Sequence, residues 1–183
     1  MVQKQEPQGT SCYGLKAGWQ NLFKFLWLTD AGCALPVYCV SEPRYPLPAQ
    51  ILPNKFKLFA SDVGILTYQS GMDVVRSIAN NRTDINFGAI YENAVAQELR
   101  AHGHELCYFK KRNIGEVDFL IQRDNKVLPI EVKSGKNYTR HVALNKLLST
   151  ENYSIEKAIV LHDGNVSKHD RKIYLPVYAC TFL

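Results

Sequence analysis

The sequence predicts an α/β fold, and three segments carry the prediction. Residues 116–122 and 127–133 are rich in β-branched and aromatic residues, which is typical of strands. Residues 87–102 place apolar side chains at helical spacing along one stripe, and Gly103 follows as a stop signal. A hairpin preceded by a long amphipathic helix indicates strands and helices that share one core.

The two strands read as a hairpin around a short polar turn. Asp and Asn tolerate the positive φ of tight turns, so residues 124–125 are expected at its tip. A hairpin that folds symmetrically about this bond places Asp118 opposite Glu131 and Glu116 opposite Lys133, all on one face. The other face is then apolar and consists of Val117, Phe119, Ile121, Ile130 and Val132.

The opposed carboxylates of Asp118 and Glu131 suggest a metal site. Like charges that face each other across two strands destabilise a sheet unless something offsets them. A hard divalent cation such as Mg²⁺ does so, and Lys133 would lie beside it. The alternative is a surface hairpin that carries an ion pair between Glu116 and Lys133.

Composition sets the broad class. The chain has 183 residues and is 46% hydrophobic, which suits one domain or one domain with a small subdomain. Its formal net charge of +5 permits nucleic-acid binding without requiring it. Five scattered cysteines without a CxxC motif indicate reduced thiols in a cytoplasmic protein. Residues 19–28 are apolar but too short to span a bilayer, so no membrane partner is expected.

The N-terminal part is expected to differ from the rest. Residues 15–29 read as a helix and residues 34–40 as a strand, either the end of a winged-helix unit or an ordinary packing helix. Four prolines interrupt residues 41–53, which predicts a linker or irregular loop. We therefore expect an N-terminal segment over residues 1–53 and a main domain over residues 54–183.

Shorter elements fill the main domain. Residues 62–68 and 141–148 read as helices, and Thr139 is a candidate N-cap for the second. Residues 72–78 follow the first helix, and residues 80–84 are turn-like. Strands are expected at residues 55–60, 105–109, 157–162 and 172–179.

Basic residues bracket the carboxylates in the sequence. A charge run is usually a solvated face, but this one surrounds the candidate site and suggests contacts to phosphates. The predicted nucleic-acid contacts are Lys110, Lys111, Arg112, Lys136 and Arg140. Glu92 lies at the border of the apolar stripe of its helix, where periodicity alone favours a solvated carboxylate.

The order of these elements resembles the PD-(D/E)xK nuclease superfamily, which has the restriction-endonuclease-like fold. Glu92, Asp118, Glu131 and Lys133 carry the resemblance. More narrowly, the chain is similar to an uncharacterised C-terminal domain found behind an AAA+ ATPase domain in bacterial and archaeal proteins. The matching segments are residues 57–66, 88–99, 116–121 and 129–135.

The resemblance implies a mixed central β-sheet flanked by helices and a metal-dependent reaction. Asp118, Glu131 and Glu92 would hold Mg²⁺ or Mn²⁺, with the backbone carbonyl of Val132 as a further ligand. Lys133 would orient or activate the attacking water. The implied activity is hydrolysis of phosphodiester bonds in DNA or RNA. Val117 occupies the position of the proline in the superfamily's name, which is a common variation.

The chain lacks the ATPase that such a domain accompanies. No GxxxxGK[ST] motif occurs, so no ATP site is expected. The sequence looks like a C-terminal fragment or a truncated gene product, whose missing partner would be the ATPase domain. The alternative function is a catalytically silent module that binds nucleic acid or a protein partner of the ATPase.

Overall fold

The computed structural model describes residues 26–80, 87–135 and 138–183. Eight strands form one mixed sheet in the order β2-β1-β3-β4-β5-β6-β8-β7. The strands are β1 (Ala34–Val40), β2 (Ile51–Ala60), β3 (Cys107–Lys111), β4 (Gly115–Arg123), β5 (Lys126–Val132), β6 (Ala158–His162), β7 (Ser167–His169) and β8 (Lys172–Pro176). The helices are α1 (Val63–Gln69), α2 (Met72–Ala79), α3 (Gly88–Ala101) and α4 (Val142–Ser149). The expected mixed α/β architecture is confirmed.

Both faces of the sheet carry an apolar layer. On one face, α3 contributes Val95, Ala96 and Leu99 to a cluster with Phe119 and Ile130. On the other face, α4 contributes Leu144, Leu147 and Leu148 to a second cluster, which also contains Val117, Leu120 and Val127. We call these the α3 face and the α4 face. Because strand residues alternate between the faces, strands β1, β3, β4, β5 and β6 supply side chains to both layers.

The predicted N-terminal segment joins the same sheet. β1 pairs antiparallel with β2 and parallel with β3. The expected boundary after Pro53 falls inside β2, which begins at Ile51 rather than near Lys55. A register shift in β2 surrounds Pro53, and β2 is the edge strand of the sheet, where the missing N–H of proline is tolerated. Residues 26–30 are helical, whereas residues 15–25 of the predicted N-terminal helix lie outside the described residues.

The register of the central hairpin is confirmed. Phe119 pairs with Ile130, and the ladder continues to Arg123 opposite Lys126. Asp124 and Asn125 have φ values of 53° and 60°, so they form the expected tight turn. Backbone pairing between β4 and β5 extends from Phe119 to Arg123, so the two strands part at the end that carries the carboxylates.

A bulge in β4 overturns part of the predicted facing pattern. Cys107 pairs with Leu120 and Phe109 pairs with Val117, so two residues of β4 oppose one residue of β3. Val117 therefore lies in the α4-face cluster, whereas Phe119 lies in the α3-face cluster. The prediction that both share one face was wrong, because the extra residue reverses the alternation.

The bulge also changes the partner of Glu116. The predicted pair of Glu116 with Lys133 is not formed. Glu116 lies opposite Lys110 of β3 and forms ion pairs with Lys110 and with Lys57 of β2. Lys133 instead pairs with Glu131, two residues before it on the chain.

A buried amide fixes helix α3 against the sheet. Asn93 is fully buried in α3, and its amide binds both backbone groups of Ala60, at 2.8 Å through Oδ1 and 3.0 Å through Nδ2. This contact ties α3 to the end of β2.

The start of α4 differs from the prediction, because His141 and not Thr139 occupies the N-cap position, without a capping hydrogen bond from its side chain.

The remaining differences are small. β7 was not predicted, and the last strand ends at Pro176, after which the chain forms a 3-10 helix over Val177–Phe182. Residues 81–84 of the predicted turn lie outside the described residues. No helix among residues 26–80, 87–135 and 138–183 combines the length and apolar character needed to cross a bilayer.

Candidate metal centre

Four carboxylates gather where β4 and β5 diverge, next to the start of α3. We call them the acidic cluster: Glu92 of α3, Glu116 and Asp118 of β4, and Glu131 of β5. Asp118 and Glu116 both raise the pKa of Glu92, and Asp118 and Glu92 both raise the pKa of Glu131, so the four groups lie close together. Burial and like charge both disfavour ionisation, and this cluster combines the two.

Asp118 lies at the bulge and reaches across to β5. Its Oδ2 accepts a hydrogen bond from the backbone N–H of Val132 at 2.8 Å. Burial raises the pKa of Asp118, although attraction to Lys57 and the bond from Val132 act in the opposite direction. The bulge explains this position, because a bulged residue is released from the ladder and its side chain is redirected.

Glu131 is the most buried carboxylate of the cluster, with 5% of its surface exposed. Its Oε1 lies 2.7 Å from the Lys133 Nζ, whereas Oε2 is buried without a hydrogen-bond partner in the described part of the chain. Burial, followed by the charge of Asp118, raises the pKa of Glu131 to about 8. An unpaired, buried oxygen beside a second carboxylate is unfavourable by itself and has the chemistry to accept a hydrogen bond or to coordinate a cation.

Glu92 is the contribution of α3. Its Oε2 lies 3.8 Å from the Lys57 Nζ and is buried without a hydrogen-bond partner among the residues described. Burial first, and then the Asp118 charge, raise the pKa of Glu92 to about 7. The periodicity of α3 placed this side chain at the border of the apolar stripe, and the structure places it at the site.

Lys57 was not predicted as a site residue. Its Nζ lies 2.6 Å from Glu116 Oε1 and 5.1 Å from the centre of the Tyr108 ring. It comes from β2, three strands away from β4 in the sheet, so no local spacing connects it to the hairpin. The sequence indicates that residues 55–60 form a strand, but it does not identify a partner for Lys57.

The predicted basic residues do not form one patch. Lys110 lies on the α3 face beside the acidic cluster, 2.7 Å from Glu116. Lys111 points to the opposite face, where its Nζ lies 3.2 Å from Glu42 and 3.3 Å from the Tyr153 hydroxyl. Consecutive strand residues alternate between faces, and this separates the pair. Arg112 and Arg140 are exposed, and Lys136 lies outside the described residues.

Lys111 lines an open groove on the α4 face. The groove has a volume of about 750 Å³, and Glu42, Arg44, Lys146 and Tyr153 also line it. Its cations already have partners: Lys111 binds Glu42, and the Lys146 Nζ donates to the Asn113 carbonyl at 2.9 Å. The groove is thus mildly basic and internally paired.

A second buried polar group lies at the end of β6 and consists of His141, His162, Tyr138 and Tyr174. We call it the imidazole–phenol cluster. His141 Nε2 lies 2.7 Å from the Tyr174 hydroxyl, and the His162 ring stacks on Tyr138 at a centroid distance of 4.1 Å. Burial, followed by Lys172 and Lys133, lowers the pKa of His141 to about 4.

Backbone contacts also hold His162 in place. The Gly164 N–H donates to His162 Nδ1 at 2.9 Å, so the neutral ring carries its proton on Nε2. A Cβ at Gly164 would lie 2.6 Å from the ring, which explains glycine at this turn. The imidazole–phenol cluster is therefore closely packed.

The acidic cluster has the donor chemistry of a hard cation site but not a closed ligand set. Among the described residues, no three His, Cys, Asp or Glu side chains stand in ready-made metal-binding geometry. Each carboxylate is instead held by another group: Glu131 by Lys133, Asp118 by the Val132 amide, and Glu92 and Glu116 by Lys57. Two buried oxygens, on Glu92 and Glu131, remain without hydrogen bonds.

Comparison with known proteins gives a family without an assigned activity. Neither a curated protein nor a solved structure matches the chain. Residues 87–180 match the family described as a domain of unknown function, DUF4143. This region begins just before α3 and includes Glu92, Asp118, Glu131 and Lys133. Since the match covers more than half of the chain, the protein belongs to the DUF4143 family.

Proposed function

We propose that this protein is a metal-dependent nuclease of the PD-(D/E)xK type, which hydrolyses phosphodiester bonds of nucleic acid, with DNA as the favoured substrate. One observation carries the proposal. Asp118 and Glu131 place two like charges together in a buried site, and Lys133 binds one of them at 2.7 Å. Such an arrangement is unfavourable by itself and becomes favourable when a divalent cation joins it.

The residues fit Mg²⁺ or Mn²⁺ chemically. Asp118, Glu131 and Glu92 offer carboxylate oxygens, and the carbonyl of Val132 would add a backbone oxygen, the ligand types that hard cations prefer. The two unpaired oxygens belong to members of this set. When bound, the ion would polarise the phosphoryl oxygen and lower the pKa of a coordinated water.

Lys133 would position the nucleophile. Its Nζ donates to Glu131, and its backbone N–H donates to the Leu161 carbonyl at 2.8 Å, so both ends of the residue are fixed. A fixed ammonium group beside the carboxylates can orient a water and stabilise charge that develops on the phosphate. The pKa of Lys133 is raised overall, because Glu131 and Asp118 outweigh its burial, so the amine stays protonated.

Positive charge near the site supports a nucleic-acid substrate. The chain has a formal net charge of +5, and Lys110 lies directly beside the acidic cluster. Arg112 and Arg140 are exposed and would contact phosphates, as would Lys136. We assign Lys111 a smaller role, because it lies on the other face. We further propose a cytoplasmic location and an AAA+ ATPase domain as the partner.

A silent module that binds nucleic acid or a protein is the second candidate. The ion pairs of the acidic cluster favour it, because lysines and an amide already hold every carboxylate. A site whose shape is held by such ion pairs requires neither a bound metal nor catalytic activity. The two candidates predict the same salt-sensitive binding and differ in cleavage.

A cleavage assay with Lys133→Ala separates them. Labelled single-stranded and duplex DNA and RNA are incubated with native protein in Mg²⁺, Mn²⁺ or EDTA. We expect metal-dependent cleavage that falls by at least about 100-fold in Lys133→Ala, while nucleic-acid affinity stays close to native. Lys126→Ala is the matched control and should cleave normally, since Lys126 is an exposed lysine, paired with Glu156, at the start of β5, the strand that Lys133 directly follows.

Two results would contradict the nuclease. Cleavage that survives EDTA, or that is equal in native protein and Lys133→Ala, would assign the activity to a contaminant. Absence of cleavage with salt-sensitive binding retained would favour the silent module.

A further inference from the structure

Lys57 is the cation on which the α3 side of the acidic cluster depends. Its ammonium group contacts Glu116 at 2.6 Å and Glu92 at 3.8 Å, and its side chain is only 17% exposed. The Tyr108 ring lies under the Nζ at 5.1 Å and adds a cation–π contact. Glu116 also has Lys110 at 2.7 Å. Glu92 Oε2, among the residues described, has no hydrogen-bond partner and one long ion pair, with Lys57.

Within the described residues, carboxyl groups outnumber ammonium groups at this site. The four carboxyl groups of the acidic cluster are accompanied by the ammonium groups of Lys57, Lys110 and Lys133. The Lys57 ammonium group is within ion-pair distance of two of them, Glu92 and Glu116. Loss of its charge would leave the α3 side of the cluster more negative.

We propose that Lys57 is the resident counter-cation of the metal-free site and competes with a divalent cation for the Glu92 carboxylate. The inference rests on the proposed metal site and adds a control on its occupancy. Lys57 holds Glu92 and Glu116 on one ammonium group. Glu92 would have to give up this contact to serve as a ligand of a divalent cation, whereas Glu116 would keep it.

Competition follows from the position of Glu92. A carboxylate that is pulled towards an ammonium group is a poorer metal ligand, because both cations seek the same oxygens. The contact with Glu92 is long, at 3.8 Å, whereas the contact with Glu116 is short, at 2.6 Å. Glu92 can therefore leave Lys57 while Lys57 retains Glu116. Removal of the ammonium charge would make the site more negative and would favour a dication.

Metal affinity measured without substrate tests the proposal. The full chain and its variants are titrated with Mg²⁺ and Mn²⁺ by calorimetry, and the melting temperature is recorded with and without metal. Lys57→Met should melt lower without metal and bind Mg²⁺ on the order of tenfold more tightly than native protein. Lys57→Arg, which keeps the charge, should retain native affinity.

Two controls fix the interpretation. Lys55→Met removes an exposed lysine from the same strand and should change neither quantity. Asp118→Asn should abolish metal binding in both the native and the Lys57→Met backgrounds. Equal or weaker Mg²⁺ binding by Lys57→Met would overturn the competition, and so would the absence of metal binding in every variant.

The outcomes also separate this inference from the proposed reaction. Tighter binding by Lys57→Met without any cleavage by the native protein would support the role of Lys57 and reject the nuclease. Cleavage by the native protein, with Mg²⁺ affinity unchanged in Lys57→Met, would support the nuclease and reject the competition by Lys57.

Discussion

The acidic cluster and the imidazole–phenol cluster bury polar groups in opposite ways. In the imidazole–phenol cluster, aromatic rings stack, and His141 shares a hydrogen bond with Tyr174. In the acidic cluster, like charges are crowded together, and the pKa values of Glu92 and Glu131 rise to about 7 and about 8. Both clusters contain buried atoms that have no hydrogen-bond partner in the described part of the chain, so such atoms alone do not identify a functional site. The crowding of like charge distinguishes the acidic cluster.

The first prediction tests whether the imidazole–phenol cluster is structural. His162 is fully buried and stacks on Tyr138, so His162→Ala should leave a cavity and lower the free energy of unfolding by about 3 kcal/mol. Chemical denaturation of both proteins measures the loss. If Mg²⁺ binds the folded protein, it should raise the melting temperature of His162→Ala as much as that of the native protein. Loss of this rise in the variant would show that the two clusters act together.

The second prediction concerns the cost of ionising Glu131. Its pKa is about 8 in the folded protein and near 4.5 when unfolded, so the folded state binds more protons between these values. Stability of the metal-free protein should therefore fall as pH rises from about 4.5 to about 8. Glu131→Gln should remove this loss and be more stable than native at pH 9 by at least about 1 kcal/mol, or about 2–4 °C in melting temperature.

A parallel comparison at pH 4.5 provides the control for Glu131→Gln. The native carboxyl is protonated in the folded state at this pH, so the two proteins should differ little. A variant that is less stable than native at pH 9 would mean that the ion pair with Lys133 outweighs the burial of the charge.

The third prediction, with the smallest effect, concerns the pH dependence of stability that His141 contributes, which has the opposite sign to that of Glu131. The pKa of His141 is lowered to about 4, so the unfolded state binds more protons between about pH 4 and 6.5. Stability should fall as pH drops through this range, by roughly 1 kcal/mol after allowance for screening. His141→Gln can keep a contact to the Tyr174 hydroxyl and should flatten the dependence, which denaturation at pH 7 and pH 4.5 would show. An unchanged slope would assign the dependence to other groups.

Local chemistry allowed the sequence to predict the hairpin well. Asp124 and Asn125 specify a turn with positive φ, and the turn sets the register from Phe119 to Arg123. The mixed α/β class and the long helix α3 also follow from patterns of composition and period. These features depend on neighbours in the chain, which a sequence displays directly.

The missed features depend on partners distant in the chain. Lys57 reaches the site because β2, β1 and β3 lie side by side in the sheet, an order that no spacing in the sequence reveals. The bulge in β4 arises from its pairing with β3 and not from a turn signal. Lys110 and Lys111 are adjacent in the sequence, but β3 includes both, and strand alternation therefore sends their side chains to opposite faces.

The bulge has a consequence for how β4 can vary in length. Its two halves are out of phase: Gly115–Val117 follow one alternation, and the residues from Phe119 onward follow the other. Deleting Asp118, one of the two residues that oppose Tyr108, would restore a regular alternation in which Glu116 and Val117 keep their present faces. The bulge thus adds the Asp118 carboxylate to the strand without moving the side chains on either side of it, and β4 can shorten here only by losing that carboxylate.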